Sequence, residues 1–409
     1  MVDATPRAAT QDEIRRHNLA RITRHLHANG ATTRSDLVAL TGLNRSTVGT
    51  LVTELTEAGL VREVAGPAGT IGRPSLVAEP IAESVVAMAF EVRVEQTVGA
   101  LIGLGGKVFH RTIASHRRDR YRPTAAVQQI SGMAHELLQA APGHATWVGT
   151  GISVAGVINR FSGLVRIAPN LEWRDVPVQE LLDQAMAGQF GDPPATTVGN
   201  DADLGALAEV VRGAGRGRQS VLYLTGDVGV GCGIVLGGSG MVDAGGYSGE
   251  VGHMVVNPGG LPCHCGAHGC WETEIGADAI LRAASLNSGS ATSQRDVPAI
   301  IAAAEAGEPR AIAALQQVAR WVDIGLGNLV NILNPEVIVL GGHLRHLMPY
   351  LAHGDGPPSA LFAAREQARI SLPELGEDST LIGAAEIAFD PLLGDPLGTL
   401  HRSRSRIAS

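Results

Sequence analysis

The chain has 409 residues, 44% of them hydrophobic and 18% charged, with a formal charge of −8. That length holds two or three ordinary domains, and the overall acidity excludes a protein that grips nucleic acid through its whole surface, so any DNA contact must be local. Aromatic residues, at 3%, are too few for a base-stacking surface. The N-terminal residues are polar, without the charged-then-apolar layout of a secretory leader, and no apolar run reaches the roughly 18 residues that cross a bilayer. The cysteines form no regular disulfide framework, which fits a reducing compartment. A soluble, cytoplasmic protein with no membrane partner is the expectation.

From about Ile14 to Leu76 the spacing predicts a small helical domain with a hairpin at its end. Ile14, Leu19, Ile22 and Leu26 share one helical face, and Asn29-Gly30 stops that helix. Thr33-Arg34-Ser35-Asp36 has the spacing of a capping box before a short helix, and Thr41-Gly42-Leu43 makes a tight turn. Asn44 can cap a third helix whose apolar positions Val48, Leu51, Val52 and Leu55 point inward. Two short helices about a glycine turn match a helix-turn-helix. The reading helix would then present Asn44, Arg45, Ser46, Thr47 and Thr50 to DNA, where an amide, hydroxyls and one guanidinium can meet base edges and phosphates. Leu60–Val64 and Ser75–Val77 look like wing strands around a loop that could lay Arg73 in a minor groove. The competing reading is a three-helix module that binds protein rather than DNA.

Beyond Ser84 strands alternate with helices, the pattern of an α/β fold. Strands are predicted at Val85–Glu91, Thr97–Leu104, Lys107–Ile113, Trp147–Val154, Ser220–Thr225, Ile234–Leu236 and Pro335–Leu340, and helices at Thr124–Ala140 and Ala311–Leu333. Gly226–Gly233 reads as a glycine-rich turn. The division expected is 1–80 for the winged helix-turn-helix and 81–409 for the rest, in two α/β lobes of approximately 81–199 and 200–409.

Three of the four cysteines, Cys263, Cys265 and Cys270, fall at C-x-C-x4-C in a glycine-rich stretch that also holds His253, Glu250 and Glu272. Such spacing points to a tetrahedral metal site of three thiolates and an imidazole, against the alternative of unrelated buried thiols in a loop.

Taken together, Gly249-Glu250-Val251-Gly252-His253, the C-x-C-G-x-x-G-C run at Cys263–Cys270, Trp271-Glu272, Asn200-Asp201 and the helix-turn-helix resemble the ROK family of repressors, open reading frames and kinases. Within it the chain is similar to sugar-responsive transcriptional regulators, and the resemblance covers nearly all of it. It implies a winged helix-turn-helix followed by a two-lobed actin-like fold of the sugar kinase/ATPase superfamily. It also implies a sugar site of Asn170, Asn200, Asp201, Glu250, His253 and Glu272, since carboxylates and amides can clamp hydroxyls that both donate and accept. Matching zinc ligands are His253, Cys263, Cys265 and Cys270, with His264 or His268 as substitutes that would crowd the short C-x-C loop. The zinc would be structural, because protein fills all four positions.

In the kinases of this family the residue matching Asp201 is the general base, which keeps an ATP-dependent hexose kinase with an added DNA-binding domain as the alternative function. The D-x-G-G-T-type phosphate hairpin of those kinases corresponds to Glu91–Gln96 here, which has lost its glycines and gained carboxylates. The expectation is therefore a regulator, not an enzyme. It would be a repressor of carbohydrate genes that binds double-stranded operator DNA as a homodimer or homotetramer and is released or retained by a sugar or sugar derivative.

Overall fold

Residues 10–66, 76–117, 120–240, 248–285, 293–351 and 368–408 are described by a computed structural model. The chain forms two compact units. The first takes Met1–Ile152, Pro177–Val198 and Ala384–Ser409, and the second takes Ser153–Val176 and Gly199–Gly383. The units thus interleave along the chain: residues 153–176, expected in the first lobe, lie in the second unit, and residues 384–409 return to the first.

The first unit opens with helix α1 (Gln11–Asn29), started by a capping box between Thr10 and Glu13 and stopped at Gly30, where φ is +73°. Strand β1 (Thr32–Thr33) leads into α2 (Arg34–Thr41), capped by Thr33 accepting from the Asp36 N–H. After Gly42 comes α3 (Arg45–Glu57), whose N-cap Asn44 accepts from the Thr47 N–H at 2.8 Å. Each such cap is worth about 1 kcal/mol. Val48, Leu51, Val52 and Leu55 are buried as the spacing predicts, and Arg15 on α1 pairs with Glu54 on α3 at 2.8 Å. Strands β2 (Val61–Ala65) and β3 (Leu76–Pro80) pair antiparallel as the wing. β1 adds a third strand that the sequence pattern does not signal, because a two-residue strand leaves no periodicity to read. The expected wing contact Arg73 lies outside the described residues.

The same unit continues with β4 (Val85–Val92), β5 (Gln96–Gly103), β6 (Val108–Ser115), helix α4 (Pro123–Gln139) and β7 (Thr146–Val154). Every residue of β7 is buried, consistent with a strand covered on both faces. Next, β8 (Val157–Asn159), β9 (Leu164–Ala168) and β10 (Trp173–Pro177) make a separate three-stranded sheet. Helix α5 (Val178–Phe190) and β11 (Thr196–Asn200) follow, and β11 completes the sheet in the order β11-β7-β4-β5-β6.

The second unit is built on helix α6 (Asp201–Arg212) and a sheet of β12 (Ser220–Gly226), β13 (Val230–Leu236), β14 (Ser239–Gly240), β15 (Val337–Gly342) and β16 (Arg369–Ser371), ordered β14-β13-β12-β15-β16. Period-two alternation sorts its side chains. Val221, Tyr223, Val337 and Val339 pack with Ala206 of α6. On the other side, Leu222, Leu224, Ile338 and Leu340 join a core formed with α7 (Trp271–Ile275), α8 (Ala277–Ala283), α9 (Ser293–Glu305) and α10 (Pro309–Leu333). Helices α11 (Ser379–Gly394) and α12 (Pro396–Ala408) finish the chain.

The expected turn at Gly226–Gly233 is shorter than predicted, since β13 begins at Val230 and pairs Gly231 with Thr225 and Gly233 with Tyr223. A Cβ on Gly233 would lie 2.2 Å from the Ala202 carbonyl of α6. Helix packing, not a turn, requires that glycine.

Candidate functional site

The winged helix presents the residues expected to meet DNA. Asn44, Arg45, Ser46 and Thr50 are exposed and Thr47 is half-buried at the start of α3. Several of their polar groups already have local work: the Ser46 hydroxyl donates to Asn44 Oδ1 at 2.7 Å, and the Thr50 hydroxyl donates to the Ser46 carbonyl at 3.2 Å. The Arg45 side chain makes no hydrogen bond or ion pair among the described residues. Arg34, by contrast, is held by both oxygens of Glu63 at 2.5 Å. Among the described residues of α2 and α3, Arg45 is therefore the cation left open to a phosphate or base.

In the second unit, the G-E-V-G-H motif crosses β13 closely. A Cβ on Gly249 would stand 2.7 Å from the Cys232 carbonyl and one on Gly252 would stand 2.4 Å from the Val230 carbonyl. With its backbone pressed against that strand, the short helix Val251–His253 sends Glu250 and His253 outward. The cysteine loop closes on itself through Cys263 N–H to the Ala267 carbonyl at 2.8 Å and Gly269 N–H to the Leu261 carbonyl at 2.8 Å. It then enters α7, whose Trp271 is fully buried and donates its indole N–H to the Trp321 carbonyl at 2.8 Å.

These elements bring His253, Cys263, Cys265 and Cys270 together, with all four donor atoms within 4.8 Å of one another. His264 and His268 stay exposed and outside this set. Cys265 and Cys270 have sulfurs 3.5 Å apart, and His253 Nδ1 lies 3.6 Å from Cys263 Sγ. A tetrahedral ion with bonds of about 2.3 Å to sulfur and 2.05 Å to nitrogen would set these separations at about 3.8 and 3.6 Å. A disulfide needs about 2.05 Å and is excluded. The cluster could hold a metal ion, and its soft donors suit zinc chemistry. Burial pushes the Cys263 and Cys270 thiols up, while the Ala267 backbone N–H and the neighbouring sulfurs hold Cys265 down.

Both carboxylates lie against this knot. Glu272 Oε1 accepts from Cys263 Sγ at 3.0 Å and lies 3.6 Å from His253 Nδ1. Glu250 Oε2 is 3.9 Å from the other ring nitrogen, Nε2. Nδ1 thus faces the sulfurs and Nε2 faces away from them, the arrangement of a ligand histidine whose outer nitrogen serves a second partner. Burial raises the Glu250 pKa, with His253 opposing and Glu272 reinforcing the shift.

Asn200 caps α6, accepting at Oδ1 from the Ala202 and Asp203 N–H groups at 2.8 and 3.1 Å, and its Nδ2 donates to the Gly156 carbonyl at 2.9 Å. Its oxygen is saturated, and one N–H remains for any ligand. The signal for this cap was present in the sequence, as an Asn-Asp pair heading an apolar helical run. Asp201 is half-buried at the first position of α6. Asn170 is half-buried in a short helical turn at Pro169–Leu171, and just beyond it Glu172 and, within β10, Asp175 take positive φ, +57° and +51°. Side-chain-bearing residues in that region are strained, and such strain clusters at functional sites.

At the place of the kinase phosphate hairpin, Glu91 pairs with Arg93 at 2.7 Å. The glycines at the end of β15 also have a packing cause: a Cβ on Gly341 would meet the Tyr223 hydroxyl at 2.4 Å.

A profile of the ROK family matches residues 90–390. The xylose repressor of Bacillus spizizenii is 25% identical over 389 residues, which covers 94% of this chain and 98% of that protein. A glucokinase of Streptomyces coelicolor is 29% identical over 301 residues, covering 67% of this chain and 89% of its own length. Among solved structures, a ROK family transcriptional regulator, a homolog of the E. coli MLC protein, aligns with a TM-score of 0.73 over 95% of this chain and 98% of its own, at 23% identity. None of the described helices is long and apolar enough to cross a membrane. With the profile spanning residues 90–390 of 409, the chain belongs to the ROK family.

Proposed function

We propose that this protein is a sugar-responsive transcriptional repressor. The observation that carries this reading is the extent of the likeness to a xylose repressor. A match over 94% of the chain cannot leave out the winged helix, and it spans 98% of the repressor. In this reading residues 1–80 bind operator DNA through Asn44, Arg45, Ser46, Thr47, Thr50 and Arg73, and residues 81–409 bind the effector. The effector's hydroxyls would meet Asn170, Asn200, Asp201, Glu250, His253 and Glu272. These residues include no arginine or lysine, which favours an uncharged sugar, and D-xylose is the first candidate.

His253, Cys263, Cys265 and Cys270 would hold zinc with no position left for water, so the metal is structural and the protein is not a metalloenzyme. Metal binding takes the proton from each thiol, which removes the Cys263 donor from Glu272 and frees that carboxylate for a sugar hydroxyl. A kinase is disfavoured by the ion-paired Glu91 in place of a phosphate cradle. Asp201 then serves as a hydrogen-bond acceptor rather than a base. Response requires two states of different DNA affinity and a sugar that prefers one. Two winged helices in a cytoplasmic homodimer or homotetramer would read half-sites about 34 Å apart.

The test is to select bound DNA from a random-sequence pool and measure its affinity with D-xylose, D-glucose and a panel of other free and phosphorylated sugars. A sugar that changes the affinity at least several-fold supports the reading, and constant affinity across the panel removes it. A coupled ATPase assay over the same sugars separates the kinase.

A further inference from the structure

Helix α11 begins in the second unit and ends in the first, the division falling between Gly383 and Ala384. Its start is gripped by α6. The Thr380 hydroxyl donates to the Asp201 carbonyl at 3.3 Å, and the Ser379 hydroxyl donates to Glu209 Oε1 at 2.7 Å. Glu209 is fully buried, and its carboxylate also accepts the N–H groups of Ala214, Glu374 and Leu375. A Cβ on Gly383 would lie 1.9 Å from the Leu204 carbonyl, so the two helix backbones touch. Any movement of the Asp201 end of α6 has to move this turn of α11 or break those bonds.

Further along the same helix, Glu386 is 5% exposed and pairs with His27 of α1, itself 1% exposed, at 3.1 Å. Gly105 N–H donates to His27 Nδ1 at 3.1 Å. An N–H can only donate, so Nδ1 is the bare nitrogen and Nε2 carries the proton given to Glu386. The ring also packs on Phe389 of α11, with centroids 4.8 Å apart. A buried imidazole–carboxylate pair contributes little net stability, but it fixes geometry because both groups have been taken out of water and the bond between them is directional. Thr380 and Glu386 are about 9 Å apart along an unbroken helix, since Pro391 lies beyond both.

We infer that α11 is a rod carrying the state of the Asp201 end of α6 to the winged helix, with His27 and Glu386 as positioning residues that fasten it to α1. The inference deepens the regulator reading and rests on it for its biological meaning. The coupling itself is measurable without sugar or DNA.

The experiment is amide hydrogen exchange on the full chain for the wild type, Glu386→Gln and His27→Gln, with Val52→Ala as a control that loosens the winged helix alone. The two pair variants should lose protection by about tenfold both in α1 and in the first turns of α6, residues 201–206, while Val52→Ala leaves α6 unchanged. Loss confined to residues 10–66 overturns the inference. So does equal loss everywhere, including β12 and α10, since that is general destabilisation. Should a pair variant not fold, Thr380→Val probes the rod from its other end and should loosen α1. A second arm uses the selected DNA with D-xylose. Glu386→Gln should bind each with wild-type affinity yet lose most of the effect of one on the other. A wild type that ignores sugar defeats the regulator reading and leaves the exchange result standing.

Discussion

Gly325→Ala is a sharp test of how α10 supports the cysteine loop. Gly325 faces Trp271, and a Cβ there would sit 2.0 Å from Cε2 and 2.2 Å from Cζ2 of the indole. Carbon atoms rest about 3.5–4.0 Å apart, so the ring would have to retreat by about 1.5 Å. It is fully buried and tied to the Trp321 carbonyl, one turn earlier on α10. Two effects compete. Alanine is the better helix former by about 0.8–1.0 kcal/mol, whereas overpacking a core costs about 1–3 kcal/mol. The clash should win, with a net loss of up to about 2 kcal/mol in urea denaturation. Gly132→Ala isolates the first effect. That residue is exposed within α4 with no heavy atom within 4 Å of an added Cβ, so the substitution should stabilise by about 1 kcal/mol. Cys270 and Glu272 flank Trp271, and displacing the ring should also weaken zinc binding about ten- to a hundredfold in competition with a chromogenic chelator. Equal stabilisation by both alanines, with zinc affinity unchanged in Gly325→Ala, would refute the packing argument.

Elemental analysis of the purified chain should find about one zinc per protein, and Cys265→Ser should lose both that metal and sugar binding; a wild type without zinc would refute the site. Replacing Glu250 or Glu272 by Ala should abolish the sugar response in operator-binding assays while leaving DNA affinity intact, and a retained response would move the effector elsewhere. Arg45→Ala should weaken operator binding by about 1–3 kcal/mol if it reads a base, whereas unchanged affinity would favour the protein-binding alternative for this domain. His343 is half-buried, and its desolvation lowers its pKa from 6.5, although the Ile275 carbonyl and Asp227 favour its charged form and His346 does not. Below pH 6.5 the unfolded chain takes up a proton that the folded one resists, so stability should fall as pH drops from 6.5 toward the folded value. The slope measured by denaturation at several pH values should shrink in His343→Gln, and an unchanged slope would assign it to other groups.

Local chemistry made much of this molecule legible. The caps at Thr33 and Asn44, the turn at Gly42 and the apolar face of α3 all follow from hydrogen-bonding side chains and a period of 3.6 residues. Three donors of the four-residue cluster follow from cysteine spacing, whereas the choice of His253 over His264 or His268 needed the family resemblance and the folded chain. Non-local packing was less legible. Gly231 and Gly233 read as turn residues but belong to a strand, and what limits them lies on α6 some thirty residues earlier: a Cβ on Gly233 would meet the Ala202 carbonyl, and one on Gly231 would stand 3.1 Å from the Ala202 side chain. The two-residue strand β1 leaves no pattern at all.

What the sequence by itself determined is the winged helix, the α/β character and the grouping of three cysteines, since each depends on neighbours along the chain or on donor chemistry that few other residues share. Tertiary structure alone decided that His253 turns Nδ1 to the sulfurs and Nε2 toward Glu250. It also decided that Asn200 spends its oxygen on a helix cap, and that His27 meets Glu386 across 359 residues of sequence. The reason is physical: a side chain's type says which bonds it can make, but only the packed backbone says which partner is within 3 Å when water has been excluded.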